Sequence, residues 1–521
     1  MQKEYQLMIA MAAYILIVIL IGVYFAKRSQ ASSGDYFLGG RSLGPWVAAM
    51  SAEASDMSGW LLMGLPGVAY WCGLADAAWT AIGLAIGTYL NWLLVSRRLR
   101  NYSVVAGNAI TVPDFLSNRF REKKKVILGA SAIFIIIFFT VYAASCFVTC
   151  GKLFSGLFGY SYHSMMLVGA AFVVIYTLLG GFLAESVSDF MQAVVMITAL
   201  VGVLVCGVVN AGGLGAVIEN ARAIPGYLSL TSIATPETVD GIQQTAGGAA
   251  LFGDPSSYGF LTILSTLSWG LGYFGMPQVL LRFMAIRRGE ELTRSRRIAT
   301  VWVVISLSVA VFIGILGRKL LPTDAALLSQ SGAENVFANL AQLLFHPLLA
   351  GVIMAGILAA TISSSDSYLL IAASAVSKNL YEGIVKKNAT DKQVMWVSRV
   401  VLLLITLVGV LIAWNENSII FEVVSFAWSG FGATFGPVIL FSLFWRRINR
   451  QGALAGIVSG GAMVFIWKLL LKPLGGVFGI YELLPAFLVS CVFIVVVSLC
   501  TEKPSEELEK DFDAARNYAG V

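Results

Sequence analysis

Two carboxylates and three hydroxyls lie close together in one apolar stretch, which reads Ser51-Ala52-Glu53-Ala54-Ser55-Asp56-Met57-Ser58-Gly59-Trp60. Ionisable groups inside a membrane cost several kcal/mol unless a partner compensates them. The Ser, Gly and Ala content favours an unwound backbone, which a membrane tolerates only where it is buried in protein or lines a cavity. Its free carbonyls could then bind a hard cation. The alternative is a group of polar residues that joins helices.

A second apolar stretch is interrupted in a similar way. It contains Ser268-Trp269-Gly270-Leu271-Gly272-Tyr273-Phe274-Gly275-Met276-Pro277, with three glycines and one proline in ten residues. Paired broken helices in matching positions indicate an inverted-repeat transporter with a binding site near the middle of the membrane. Each interruption alone is weak support, but the pair predicts such a site.

Small and hydroxyl residues form a stripe in a third apolar stretch. Ala360, Ser363, Ser364 and Ser367 recur at positions i, i+3, i+4 and i+7, which places them on one face of a helix. This face could present hydroxyl oxygens to the first unwound stretch. Hard cations take oxygen ligands, so free carbonyls and two hydroxyls would suffice for sodium. A small-residue packing face is the alternative, although Asp366 does not belong on one.

A possible second cation site involves Asp189, Asp366 and Ser367. Asp189 opens an apolar stretch after two glycines and could face the serine stripe. Two carboxylates close together repel, and one takes up a proton unless a cation lies between them. The pattern therefore leaves two alternatives: a second sodium, or a structural pair that shares a proton.

Membrane-spanning helices must position these residues, because 58% of the 521 residues are hydrophobic and only 12% are charged. The mean hydropathy is +0.81, and the charged share is about half that of a soluble protein. A helix needs about 20 apolar residues to span a membrane. This rule predicts an all-α integral membrane protein with about thirteen spans, near 6–26, 45–66, 68–95, 126–155, 163–184, 188–211, 259–281, 298–320, 345–376, 394–414, 417–442, 452–472 and 480–500.

The basic residues predict the orientation of the chain. With the N-terminus outside, 28 of the 35 Lys and Arg fall in segments on the inner side, as the positive-inside rule requires. The C-terminus is then cytoplasmic, and the protein lies in the cell membrane. Because these basic residues lie in short clusters between apolar runs, the net charge of +6 does not indicate nucleic-acid binding.

The two interrupted stretches begin two successive blocks of five spans, near 45–211 and 259–442. One leading helix and two trailing helices complete a single transmembrane domain over 1–500, and 501–521 form a charged cytoplasmic tail. The pattern predicts a 5+5 inverted repeat. We expect a cation-coupled solute transporter that uses no cofactor.

Three other classes fit the sequence poorly. An ion channel needs a continuous lined pore, usually with a short filter loop, and no such loop occurs. A transporter-like sensor needs a signalling domain, for which 501–521 leave no room. An intramembrane enzyme would need a motif such as HExxH or GxSxG, and both are absent.

At these residues the chain resembles the sodium:solute symporter family, and most of all its bacterial proline-transporting members. The likeness extends from about residue 5 to residue 500. The residues that carry it are Ser33-Gly34-Asp35-Tyr36-Phe37-Leu38-Gly39-Gly40-Arg41, Ala54-Ser55-Asp56-Met57-Ser58-Gly59-Trp60, Trp269, Tyr273, Pro277, and Trp445-Arg446-Arg447-Ile448-Asn449-Arg450-Gln451-Gly452-Ala453.

The resemblance implies a LeuT-type fold with one extra leading helix and sodium-driven uptake of L-proline. It implies sodium ligation by backbone carbonyls of Ala54, Met57 and Ala360 and by the hydroxyls of Ser363 and Ser364, with Asp56 needed for sodium binding. It also implies a substrate pocket and residues used in transport, which are Ser55, Trp60, Tyr142, Trp269, Tyr273 and Pro277 for the pocket, and Arg41, Asp189 and Arg399 for transport.

The sequence departs from the resemblance at Ser364, where proline symporters often have Thr. A hydroxyl remains, so the site survives with an affinity that the substitution can change. Proline is a zwitterion with an apolar ring, which suits a half-helix N-terminus, free carbonyls and aromatic faces. The alternative is sodium symport of another small solute, such as a compatible solute, a vitamin acid or a monocarboxylate. A sugar fits less well, because the pocket candidates are aromatic rather than amide-rich.

Overall fold

The structure is a computed structural model that describes residues 2–29 and 33–518. These residues form a helical bundle with one loop that contains short strands. The α-helices are α1 (Gln2–Ser29), α2 (Ser33–Leu38), α3 (Pro45–Asp56), α4 (Leu65–Cys72), α5 (Leu74–Leu90), α6 (Ser96–Val105), α7 (Val112–Arg119), α8 (Val126–Phe158), α9 (Tyr162–Asn210), α10 (Leu214–Arg222), α11 (Phe260–Leu267), α12 (Trp269–Gly272), α13 (Pro277–Ala285), α14 (Leu292–Leu320), α15 (Gln330–Ala333), α16 (Val336–Leu344), α17 (Pro347–Ser374), α18 (Asp391–Ile412), α19 (Ile420–Phe444), α20 (Arg450–Ile466), α21 (Leu483–Cys500) and α22 (Glu506–Asn517).

The loop between α10 and α11 contains six two-residue strands. They pair antiparallel as β1 with β6, β2 with β3 and β4 with β5. Their bounds are β1 (Ser232–Ile233), β2 (Thr238–Val239), β3 (Ile242–Gln243), β4 (Thr245–Ala246), β5 (Ala249–Ala250) and β6 (Ser256–Ser257).

In the described part of the chain, ten helices are long and apolar enough to cross a membrane. They coincide with ten of the thirteen predicted spans. The second, fifth and seventh predicted spans are formed by helices shorter than these ten. The second and seventh contain a break, and the fifth ends next to one. The fifth and sixth spans are two helical segments of α9, Tyr162–Leu178 and Gly181–Asn210, which meet at a kink at Gly181, where φ is 69° and ψ is 175°. The all-α membrane class is confirmed, and the count of thirteen crossings stays a prediction.

The second span is broken at Met57–Gly59. The N–H of Met57 makes the last helical hydrogen bond, to Glu53 O at 2.9 Å, and the helix resumes at Trp60. The unwound part is shorter than the sequence pattern predicted, because the Ala and Ser residues before Met57 remain helical. Gly59 packs so closely on Thr149 that an added Cβ would lie 2.5 Å from its Oγ1, so a larger residue there would have to displace the Thr149 side chain.

The seventh span is broken before Pro277, as predicted. A 3₁₀ turn, Tyr273–Gly275, follows α12, and Met276 is extended with φ −74° and ψ 108°. Proline is favoured at the first position of a helix because it lacks an N–H, and α13 starts there. A Cβ on Gly275 would lie 2.3 Å from Phe431 O, so this break also depends on a glycine.

The two ends of the bundle differ in composition. The basic end carries Arg41, α6, α7 and the tail helix α22, whose Phe512 packs against Tyr102 and whose Asp511 pairs with Arg121 at 2.8 Å. The loop end carries the stranded loop, α15 and α16. Residues 519–521 of the predicted tail lie outside the described residues.

Helix α17 lies at the centre of the bundle. Every residue from Ile353 to Ser374 is buried, and the helix packs against α1, α3, α8 and α9. The serine stripe is therefore enclosed by protein on all sides, which is the setting in which polar side chains are tolerated at membrane depth.

Candidate functional site

The serine stripe meets the broken second span at the carbonyl of Ala54. Ser363 Oγ donates to Ala54 O at 2.8 Å and Ser364 Oγ donates to it at 3.2 Å. Ser363 Oγ also lies 3.2 Å from Ala360 O. We call the residues that the sequence predicts to bind sodium the sodium group; they are Ala54, Met57, Ala360, Ser363 and Ser364. Four of its members are joined by these contacts, and Met57 is the residue at which the helix breaks.

The chemistry of this group suits a monovalent hard cation. Its oxygens are carbonyls and hydroxyls without a formal charge, and both serine side chains are fully buried. Oxygen ligands are what hard cations take, and neutral ones avoid placing a buried carboxylate beside a single positive charge. A hydroxyl that donates to Ala54 O can rotate its lone pairs toward an ion, so the same atoms can serve both arrangements.

The carbonyl of Asp56 is the centre of an aromatic group two residues further on. Tyr142 OH donates to Asp56 O at 3.1 Å, and Trp60 Nε1 and Tyr368 OH approach it at 3.4 and 3.5 Å. Tyr142 and Tyr368 stack with ring centroids 4.1 Å apart. Near the helix break, the carbonyl of Ala54 thus meets two serine hydroxyls, and the carbonyl of Asp56 meets aromatic side chains.

The aromatic side chains of the seventh span complete this group from the opposite side. Trp269 lies 6.3 Å from Trp60 between ring centroids, and Tyr273 meets Trp428 edge to face at 5.0 Å. Trp428 Nε1 donates to Trp269 O at 2.8 Å. The two broken spans therefore face each other across aromatic rings. The binding site near the middle of the membrane, which the paired interruptions indicate, stays a prediction.

A cavity of about 370 Å³ lies at the loop end, directly above the aromatic group. Trp269 forms part of its lining, together with Trp71, Phe421 and Tyr481, and is only 3% exposed. Tyr481 stacks on Trp269 at 5.1 Å. Trp269 thus separates the cavity from the buried residues below.

The remaining predicted pocket residues occupy supporting positions. Pro277 begins α13 and is buried. Ser55 Oγ bonds to Ala52 O of its own helix at 3.2 Å. Asp56 Oδ1 accepts a hydrogen bond from Gln278 Nε2 at 3.2 Å, so the carboxylate ties the first broken helix to the second.

The family model of the sodium:solute symporter family matches residues 36–460. This chain belongs to that family. The sodium/proline symporter of Staphylococcus aureus (strain USA300 / TCH1516) is 39% identical to it over 520 residues, which cover 99% of this chain and 96% of that protein. The protein of that name from strain JH9 is also 39% identical, with the same coverage.

Solved structures agree on the fold. A Na⁺-coupled sialic acid symporter in a substrate-bound outward-open state matches with a TM-score of 0.73 at 17% identity, covering 96% of this chain and 99% of that one. MhsT in complex with L-phenylalanine matches with a TM-score of 0.51 at 14% identity, covering 87% and 97%. At these identities the likeness is one of fold alone, and the fold of this symporter is of the LeuT type.

In this symporter Asp189 and Ser367 are joined through an arginine. Asp189 Oδ2 accepts from Ser51 Oγ at 2.7 Å and from Arg282 at 3.2 Å. Ser367 Oγ accepts from Arg282 at 3.0 Å and donates to Glu185. The sequence left two alternatives for this site, a second sodium or a shared proton. In the structure the guanidinium of Arg282 lies beside Asp189 and Ser367, two of the three residues predicted there.

Asp366, the third of those residues, shares Glu185 as a neighbour with Arg282. Its Oδ1 accepts from the N–H of Ser367 at 2.8 Å, and the side chain lies beside Tyr176, Gly181 and Glu185. Asp366 is 2% exposed, so it is a buried acid close to the break in α9.

Arg41 joins elements of the basic end. Its guanidinium donates to Met284 O at 2.5 Å, Ala109 O at 2.7 Å and Ser103 Oγ at 3.1 Å. Burial, and secondly the charge of Arg100, lower the pKa of Arg41 to about 10, so it keeps its charge at neutral pH. It therefore clamps the end of α13 to the segment after α6.

Arg399 lies apart from the sodium group and the aromatic group. It is exposed on α18 and close enough to Tyr36 to interact with it electrostatically. If Arg399 has the predicted role in transport, it acts from the exposed side of α18 and not by contact with the sodium group or the aromatic group.

Sequence reasoning missed four residues that contact the predicted ones, namely Glu185, Arg282, Tyr368 and Trp428. Tyr368 directly follows the serine stripe, so extending the stripe by one position would have included it. Arg282 is one of the 28 Lys and Arg residues predicted in segments on the inner side, but it is fully buried in α13. Nothing in its sequence position distinguishes it from a loop arginine.

Proposed function

We propose that this symporter carries L-proline across the cytoplasmic membrane together with sodium, by alternating access. The observation that carries the proposal is the broken second span. There Ala54 O meets two serine hydroxyls, and Asp56 O, two residues on, meets aromatic side chains. The sodium/proline symporters of Staphylococcus aureus that are 39% identical to this chain support proline as the solute.

In this proposal the sodium ion is bound by the carbonyls of Ala54, Met57 and Ala360 and the hydroxyls of Ser363 and Ser364. Sodium draws these oxygens together and so fixes the broken helix against α17. Asp56 supports the same break through its hydrogen bond with Gln278. Binding of sodium therefore orders the backbone on which the solute site is built.

Proline would lie on the other side of the break. Its carboxylate suits the N–H groups at the start of the half-helix Trp60–Cys72, where the helix dipole is positive. Its ammonium group suits the carbonyl of Asp56, and its ring suits the faces of Trp269 and Tyr273. Ser55, Trp60, Tyr142 and Pro277 complete the proposed pocket.

The proposed orientation places the basic end in the cytoplasm, because 28 of the 35 Lys and Arg are predicted on that side. The cavity above Trp269 then faces outward and the tail helix α22 faces inward. The two proposed repeats, 45–211 and 259–442, each begin with one of the broken spans, and Arg41 and Arg399 are proposed to act in coupling.

Uptake into proteoliposomes tests the proposal. Radiolabelled proline should accumulate above its external concentration when sodium is higher outside, and should only equilibrate when potassium replaces sodium at equal pH. A proton gradient without sodium should not drive accumulation. Equal uptake on the proton gradient would contradict sodium coupling, and faster uptake of a compatible solute or a monocarboxylate would contradict proline.

The sodium dependence of uptake should have a Hill coefficient close to one. Arg282 already supplies a positive charge to Asp189 and Ser367, so we expect a single coupling ion. The measurement is initial proline uptake against sodium concentration. A Hill coefficient above one that falls to one in Asp366→Ala, with proline binding retained, would instead assign a second sodium to Asp189, Asp366 and Ser367.

A further inference from the structure

Arg282 is buried where four helices meet. Its guanidinium donates to Ser51 Oγ of α3 at 3.0 Å, to Asp189 Oδ2 of α9 at 3.2 Å and to Ser367 Oγ of α17 at 3.0 Å. It also contacts Glu185 of α9, and its side chain is 0% exposed. A guanidinium presents five donors in one plane, so this single side chain ties α13 to three other helices.

This cluster lies between the sodium group and the basic end. In α3, which starts at the basic end, Ser51 precedes Ala54 by three residues. In α17, which ends there, Ser367 follows Ser363 by four residues. At 1.5 Å per helical residue the cluster is roughly 4–6 Å closer to the basic end than the sodium group. An ion that leaves toward that end between α3 and α17 would pass Arg282, which contacts both helices.

The guanidinium opposes such passage in two ways. Its charge repels a sodium ion in surroundings where screening by water is weak. It also engages Asp189 Oδ2 and Ser367 Oγ, which are oxygens that a departing ion would otherwise contact. The path toward the basic end is therefore closed while Arg282 holds these partners.

The cluster is also connected to the solute site. Arg282 donates to Gln278 O at 3.2 Å, and Gln278 Nε2 donates to Asp56 Oδ1 at 3.2 Å. One turn of α13 thus joins the guanidinium to the break in the second span. When bound ligands order that break, the change can therefore reach Arg282 through Asp56 and Gln278.

We propose that Arg282 is the inner gate residue of this symporter and that its withdrawal from Glu185, Asp189 and Ser367 opens the path from the sodium group to the cytoplasm. The inference rests on the proposed sodium coupling. Arg282 is a positioning residue: it sets when the bound ion can leave, and the solute pocket is built without it.

The test is the influx of ²²Na⁺ into proteoliposomes without any organic solute. In the unmodified protein this influx should be low, because sodium moves only together with its solute. In Arg282→Gln we expect it to rise at least tenfold, since the inner path opens without a bound solute. Arg282→Lys keeps the charge but lacks the planar fork, so its leak should lie between the two.

Arg318 provides the matched control. It is also buried, at 2% exposure, but it lies at the loop end, where it bonds Tyr70 O at 2.8 Å and Gln243 Oε1 at 3.1 Å. Arg318→Gln should lower thermal stability. Its solute-free sodium influx should stay within about twofold of that of the unmodified protein, well below the tenfold rise expected for Arg282→Gln.

Two results would contradict the proposed gate. One is an Arg282→Gln protein that is folded and monodisperse but shows no sodium leak, and the other is an equally large leak in Arg318→Gln. If Arg282→Gln does not fold, Glu185→Gln removes one partner of the guanidinium, and the same two outcomes apply. Failure of sodium-driven proline uptake in the unmodified protein is a separate result. It would count against the proposed function, whereas the leak comparison uses no proline.

Discussion

Replacing both Ser363 and Ser364 with alanine should raise the sodium concentration for half-maximal proline uptake at least tenfold. The two hydroxyls supply two of the five proposed sodium ligands and lie within 3.2 Å of Ala54 O. A tenfold change corresponds to about 1.4 kcal/mol, which is modest for the loss of two oxygens from a buried site. The measurement is uptake into proteoliposomes over a range of sodium concentrations.

Ser365→Ala is the control for this variant. Ser365 is a buried serine on the same helix, but its hydroxyl bonds Thr361 O at 2.6 Å on its own backbone. We expect its sodium dependence to match that of the unmodified protein. A similar shift in Ser365→Ala would mean that any loss of a serine from α17 disturbs sodium binding, and an unchanged double variant would remove Ser363 and Ser364 from the site.

Removing the ring of Trp269 or Tyr273 should weaken proline binding by about 1–3 kcal/mol for each ring, or roughly five- to 150-fold. Both rings are buried, at 3% and 1% exposure, and face the second span across the proposed pocket. Sodium affinity measured without proline should change little, because neither side chain belongs to the sodium group. Equilibrium binding of labelled proline and of sodium to the purified variants separates the two effects.

Two further variants sharpen this prediction. Tyr273→Phe keeps the ring and should bind proline nearly as well as the unmodified protein. Trp302→Ala removes a buried tryptophan that bonds Ala193 O at 3.3 Å on another face of the bundle, so it should lower stability without selective loss of proline affinity. Equal loss of sodium and proline affinity in Trp269→Ala would mean that the ring only holds the fold.

The fold was predictable because the signals that define it are local. A run of about 20 apolar residues is long enough to span a membrane, and glycine and proline mark where a helix is interrupted. Hence Pro277 and the glycines before it located the break in the seventh span. The spacing of Ser363 and Ser364 likewise located one face of a helix, and that face contacts Ala54.

The extent of unwinding was harder to predict. Small residues from Ser51 onward suggested an open backbone, but the helix continues to Asp56. Ala and Ser tolerate both states, and the choice depends on what packs around them. Here Gly59, directly after the break, packs against Thr149 of α8, and such a contact between distant segments has no local signal.

The Arg282 cluster was not predictable for a related reason. An arginine near the end of an apolar stretch is usually a loop residue, and the positive-inside rule counted it as one. Its burial depends on Glu185 and Asp189, which lie more than 90 residues away in the chain. Only the folded bundle brings them together, so the sequence left sodium or a proton as the candidates beside Asp189.

The reciprocal effect of sodium and proline on each other's binding tests most directly whether both bind at the same helix break. The measurement is the equilibrium dissociation constant of each ligand, with and without a saturating concentration of the other, on the purified protein. Sodium should tighten proline binding by the same factor as proline tightens sodium binding, as linkage requires. We expect at least about tenfold, or 1.4 kcal/mol, falling close to one when Ser363 and Ser364 are both alanine. Proline binding that is equally tight without sodium, or coupling that persists in that double variant, would contradict the account.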